Sequence, residues 1–139
     1  DKLAWIEKIK SRGFTVERLN ADARILFDAP IFSADARTTP FAEDALRALI
    51  VPLSDHASDI RLVIVGHTGS TPPRPGFGTN YDVGMRRADV IRRLLVEVAG
   101  WPAGSVSVRS AGEKDPPFPG ADPLSQARNR TVTIEVYAR

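Results

Sequence analysis

Cysteine is absent from the 139 residues, so the chain has neither a disulfide framework nor a thiolate metal site. Histidine is nearly absent. His56 and His67 are the only two, and neither has a partner one helical turn away with which to share a metal. Charge of one sign is also missing. Lys and Arg total 19 against 17 Asp and Glu, so a nucleic-acid binder is not indicated without a local basic stripe. No apolar run approaches the ~20 residues that span a bilayer, and no signal-peptide pattern occurs. The start at Asp1 is read as that of an excised domain whose targeting or membrane segment lies outside this sequence. Catalytic signatures are missing too. No serine sits in G-x-S-x-G, no glycine-rich loop ends in Lys-Ser/Thr, and G-x-G-x-x-G does not occur. These absences point away from nucleotide, metal and enzyme chemistry, although an arrangement of Ser70, His67 and an aspartate stays open.

What remains is an ordinary globular composition, 42% hydrophobic and 26% charged, on a length suited to one domain. Residues 2–10 have the spacing of a short amphipathic helix carrying Leu3, Trp5, Ile6 and Ile9, ended by Arg12-Gly13. Alternation predicts a strand over Phe14–Leu19, and a second follows at 24–27. Thr39-Pro40 opens a helix that carries Phe41, Ala45, Leu46, Leu49, Ile50 and Leu53 toward His56, with Pro52 disturbing its last turn. The β-branched run at 60–66 reads as a strand buried on both faces. Helical spacing over Asp82–Ala99 predicts a long helix ended by Gly100. A strand at 105–110, a long polar loop and an alternating strand over Thr131–Tyr137 complete the chain. The order predicts two helices on one face of a mixed sheet, an α+β two-layer sandwich.

Two features of this outline invite a ligand. The first is the segment Val65–Asn80, V-G-H-T-G-S-T-P-P-R-P-G-F-G-T-N, which joins the strongest strand to the strongest helix. Ligands of open α/β sheets collect at such edges. Its prolines stiffen it, and Phe77 at its tip is read either as an exposed contact or as folded back on its own loop. His67 is read as a structural residue bonded to the backbone. The second feature is Arg87. On a helical wheel Val83, Val90, Leu94 and Val98 centre the apolar stripe, and Arg87 falls within it while Arg86, Arg92 and Arg93 point elsewhere. A cation on a core-facing stripe, early in a helix whose dipole disfavours it, needs an anionic partner. That partner is either an internal Asp or Glu or the carboxylate of a ligand, and snorkelling is the other option.

From about Ile25 to Val136 the chain resembles the OmpA-like C-terminal domain family, the periplasmic peptidoglycan-associating module. The family's G-H-T-D and N-x-x-L-S-x-x-R-A are similar to Gly66-His67-Thr68-Gly69 and to Asn80 through Ala88 here. Its G-x-G-E-x-x-P resembles Ser110 through Pro116, and its closing N-R-R-V-x-I resembles Asn129 through Ile134. The resemblance implies a β-α-β-α-β-β domain over 21–139, with the N-terminal helix and first strand over 1–20 leading into it. It implies no catalytic residue, metal or cofactor. The implied partner is the diaminopimelate-bearing stem peptide of peptidoglycan, with no nucleic acid and no membrane contact except through segments outside this chain.

In that family an arginine takes a ligand carboxylate and an aspartate takes its ammonium. The arginine corresponds to Arg87, with Thr68, Asn80 and Arg130 lining or bracing the pocket. The aspartate position holds Gly69, which removes the ammonium partner unless Asp82 or Asp122 moves in. Gln126 stands where a further arginine is usual, and no small polar residue is evident among Asp28, Ala29 and Pro30. The lengthened proline-rich loop is similar to those of members fused to inner-membrane flagellar stator and type VI secretion proteins. The expectation is therefore a periplasmic domain of a Gram-negative cell envelope, tethered to the inner or outer membrane, that associates weakly with the wall. The alternative is a relative that has lost the ligand and serves a protein partner or self-association.

Overall fold

The computed structural model describes residues 1–139. Five strands, β1 (Phe14–Leu19), β2 (Asp22–Phe27), β3 (Ile60–His67), β4 (Val106–Gly112) and β5 (Thr131–Ala138), form one sheet in the order β1-β2-β5-β3-β4. Only β3 and β4 run parallel, and the other pairs are antiparallel. The predicted mixed sheet and α+β class are therefore found. Period-two alternation explains the layering. Phe14, Ala23, Ile25, Phe27, Ile60, Leu62, Ile64, Val106, Val132, Ile134 and Val136 all join a single buried cluster with residues of the helices. The opposite face holds Glu17–Arg24 and Arg109–Glu135 ion pairs and Arg61 over the Tyr137 ring.

Helix α1 (Pro40–Ser54) begins as its sequence predicts. Thr39 caps it by accepting from the Ala42 amide, and Pro40 takes the first position. Ala42, Ala45, Leu46, Leu49 and Leu53 are its buried stripe. Pro52 cannot donate to the Ala48 carbonyl, and the helix stops two residues later. The N-terminal helix is shorter than expected. Only a 3-10 turn over Ala4–Lys8 forms, too short to sustain an α-helix alone. It is pinned by buried Leu3 and Ile6 and by Trp5 stacked on His56 at 3.6 Å.

Helix α2 (Asn80–Arg93) starts two residues before its predicted position, because Thr79 and Asp82 form a reciprocal capping box. Its C-terminal end departs from prediction. A π-helical turn over Leu94–Val98 rotates the last residues, and Val98, expected on the apolar stripe, is 77% exposed. The buried line of α2 is Gly84, Arg87, Ala88 and Ile91, continued by Leu95. A third helix, α3 (Pro123–Arg128), lies in what reads as a polar loop; Asp122 caps it. No helix is long and apolar enough to cross a membrane.

α2 meets β3 without side chains between them. A methyl group built on Gly66 would fall far inside contact with the Gly84 carbonyl oxygen, and one on Gly84 would strike the Ser110 hydroxyl. Backbone therefore touches backbone at this point. The contact fixes the site, since Arg87 lies three residues after Gly84 and His67 directly after Gly66.

Candidate functional site

The cleft forms where β3 ends, α2 begins and β5 is about to start. β3 shifts register against β4 between Gly66 and His67, and the Thr68 amide then bonds the Gly112 carbonyl at 2.8 Å. The chain leaves as a proline-rich segment and re-enters at Asn80, the first residue of α2. Thr68, Gly69, Thr71 to Arg74, Phe77, Asn80 and Val83 line this side. Ser33, Ala34 and Asp35, from the β2–α1 connection, together with Gln126 and Arg130, complete the lining. The cleft has a volume of about 290 Å³. All five residues singled out from sequence, Thr68, Gly69, Asn80, Arg87 and Arg130, line this one cleft.

Arg87 is 4% exposed. Its Nε donates to the Asp35 carbonyl at 2.6 Å, Nη1 to the His67 carbonyl at 2.9 Å and Nη2 to the Ser33 carbonyl at 3.4 Å. The guanidinium also stands 5.5 Å from the centre of the Phe32 ring. These contacts orient the fork, but none supplies a negative charge. No carboxylate of the chain forms an ion pair with Arg87 or with Arg130. Arg130 spends its Nε on the Phe32 carbonyl at 3.2 Å. Burial, then repulsion from Arg130, lowers the Arg87 pKa to about 10, so it stays protonated at neutral pH. The Asp35 carboxylate, ion-paired to Arg86, offsets this lowering only in part, so two neighbouring cations with no direct ion pair to an acid make a receptor for an anion.

Asp35 is the one acid of the cleft, and sequence reading missed it. It adopts a left-handed backbone (φ 51), which aims its carbonyl at Arg87 while its Oδ1 meets Arg86 Nε at 2.9 Å and Nη2 at 2.7 Å. The wall it builds comes from residues 33–35, not from Asp28, Ala29 and Pro30, where a polar residue was sought. Asp28 instead accepts from Thr15, and the Pro30 carbonyl accepts from Thr39. Asp82 and Asp122 do not move in. Asp82 is held by the Thr79 amide and hydroxyl, Asp122 by the Ser125 amide, and these bonds lower both carboxyl pKa values.

Gln126 fills the corner beside Gly69. Its Oε1 accepts from the Ser70 amide and hydroxyl at 2.7 and 2.9 Å, and its Nε2 donates to the Gly120 carbonyl. A methyl group on Gly69 would stand 3.0 Å from that Oε1. Ser70 is thereby committed to Gln126. The His67 ring bonds the Thr133 hydroxyl at 2.8 Å and not the backbone, so the Ser70–His67 arrangement left open does not assemble. Thr68 turns its hydroxyl to the Gly69 carbonyl at 2.8 Å. Phe77 is 41% exposed and lines the cleft, while its carbonyl is held by Arg86.

Solved structures share this fold. The cell wall anchor of the T6SS from Pseudomonas aeruginosa superposes with a TM-score of 0.77 at 22% identity, covering 97% of this chain and 94% of that one. A MotB-like protein from Desulfovibrio vulgaris gives 0.80 at 21% identity, covering 99% and 90%. The periplasmic domain of Helicobacter pylori MotB gives 0.77 at 15% identity, covering 92% and 83%. No curated protein sequence matches the chain. The OmpA family model matches residues 33–130, which run from the Ser33 wall of the cleft to Arg130, and the chain belongs to the OmpA family.

Proposed function

We propose that this is a non-catalytic periplasmic domain that holds the stem peptide of peptidoglycan and so ties a larger, membrane-anchored envelope protein to the cell wall. The observation that carries the reading is the pair Arg87 and Arg130, neither in a direct ion pair, in a cleft sized for a small peptide end group. A ligand carboxylate would meet the Arg87 fork, whose direction three backbone carbonyls set in advance. Arg130, Thr68 and Asn80 would complete the anionic end. Membership of the OmpA family and the likeness to a cell wall anchor support the same reading.

Gly69 presents no carboxylate to a ligand ammonium. A charge-assisted hydrogen bond is worth about 1.5–3 kcal/mol, so binding is roughly ten- to a hundred-fold weaker than with an acid at that corner, unless another acid of the cleft takes the ammonium. An interaction module that had discarded the ligand would be expected to pair Arg87 directly with an acid of its own, whereas the nearest acid, Asp35, gives Arg87 only its backbone carbonyl and pairs its carboxylate with Arg86.

The test is co-sedimentation with purified peptidoglycan, intact or stripped of its stem peptides by an amidase. The expected result is retention on intact material that falls to background on the stripped glycan. Equal retention on both would place the contact on the sugar chains and overturn the reading.

A further inference from the structure

We infer that Asp35 is the cation receptor of the cleft that Gly69 also lines, taking up a ligand ammonium. This inference rests on the stem-peptide reading above and specifies how the other end of the ligand is held.

Asp35 is the only Asp or Glu among the residues that line the cleft. Its side chain is 27% accessible, enough to be reached and little enough to be partly shielded from water. A carboxylate offers about four acceptor positions on two oxygens. Arg86 uses one oxygen only, because both its Nε and its Nη2 fall on Oδ1. No group of the chain donates to Oδ2.

The placement is fixed from three sides. The left-handed backbone at Asp35 holds the residue at a corner, its carbonyl is tied to Arg87, and its Oδ1 is tied to Arg86. One residue thus orients the guanidinium that takes an anion and presents a free carboxylate oxygen beside it. This polarity suits a zwitterionic amino-acid end, with its carboxylate toward Arg87 and Arg130 and its ammonium toward Asp35. The other acids near the loop are excluded, since Asp82 and Asp122 are committed to helix caps and do not line the cleft. The amide of Gln126 is likewise spent on Ser70 and Gly120.

The experiment measures binding of two soluble stem tripeptides that end in meso-diaminopimelate, one with its side-chain amine free and one with it acetylated. Both are titrated into wild type and Asp35→Asn by calorimetry. Asparagine keeps the left-handed backbone accessible and can still accept from Arg86, so the fold and the Arg87 contact are retained. Wild type is expected to prefer the free amine by roughly tenfold, the worth of one charge-assisted bond. Asp35→Asn is expected to bind the two equally; the readout is the ratio of the two affinities within each protein, since removing the Asp35 charge also alters the field at Arg87. A wild type that prefers the acetylated peptide or does not distinguish them overturns the inference, as does a preference that survives in Asp35→Asn; each leaves the stem-peptide reading standing. Absence of binding by either peptide to wild type overturns both.

Discussion

Gly66→Ala is expected to lower the domain's stability by more than about 3 kcal/mol. The added methyl cannot rotate away, because it is set on the backbone of β3 and meets the backbone of α2 at Gly84. Forcing a methylene into a well-packed core costs about 1–3 kcal/mol where side chains can adjust. Here the helix itself must lift, and α2 carries Val83, Ala88 and Ile91 into the core. The loss should therefore exceed about 3 kcal/mol, a large part of the ~5–15 kcal/mol that a domain of this kind possesses. Gly104→Ala is the matched control. A methyl there meets nothing within 4 Å and the backbone is not left-handed, so its melting temperature should stay within a few degrees of wild type. A Gly66→Ala protein that melts like Gly104→Ala by circular dichroism would show that the close approach of β3 and α2 is not needed. The consequence reaches the site, since the same contact brings Arg87 to the His67 carbonyl.

Stability is expected to fall by about 2–3 kcal/mol between pH 7 and pH 4.5 through His67 alone. Its imidazole is 4% exposed, its Nε2 is bonded to Thr133, and its Nδ1 has no partner. Burial first, then the charges of Arg109 and Arg24, lower its pKa from 6.5 to about 4, against smaller opposing effects of Asp115 and Glu135. The sign follows from proton counts. Between pH 6.5 and 4 the unfolded chain binds the proton and the folded one does not, so acid favours unfolding across that window. The stabilisation is complete above pH 6.5 and is lost as pH drops toward 4. Carboxylates titrate in the lower part of the same range, so the comparison is with His67→Gln, whose amide can bond Thr133 without titrating. Urea unfolding at both pH values should show wild type losing about 2–3 kcal/mol more than the variant. Equal losses would mean that the ring is protonated in the folded state.

The parts of this molecule that could be read in advance are those governed by local rules. Alternation over Thr131–Tyr137, the Thr39-Pro40 helix start and the apolar run at 60–66 each reappear as elements within two residues of their predicted ends. Arg87 could be found because a cation on an apolar helical stripe violates a periodic pattern, and it is buried as that violation implies. What escaped notice depends on distance along the chain or on competing local chemistry. Asp35 stands 52 residues from Arg87, and its role comes from a left-handed backbone that an aspartate in a loop does not announce. The π turn at Leu94–Val98 leaves the 3.6-residue period, so a wheel drawn through Val98 turned it inward. Helix α3 is six residues long with none buried, so it carries no apolar stripe to detect. Its Asp122-Pro123 start is the one signal that could have marked it.

The guanidinium of Arg87 is oriented by three backbone carbonyls and left without a direct ion pair. The most direct measurement is retention of Arg87→Lys on purified intact peptidoglycan, beside wild type and with the fold of both verified by circular dichroism. Lysine keeps the charge but replaces a planar fork with a point cation that cannot serve three carbonyls and a ligand carboxylate together. The expected result is a dissociation constant at least roughly tenfold weaker than that of wild type, the equivalent of about 1.4 kcal/mol. Retention equal to wild type would mean that the wall, if bound at all, is held elsewhere on the domain.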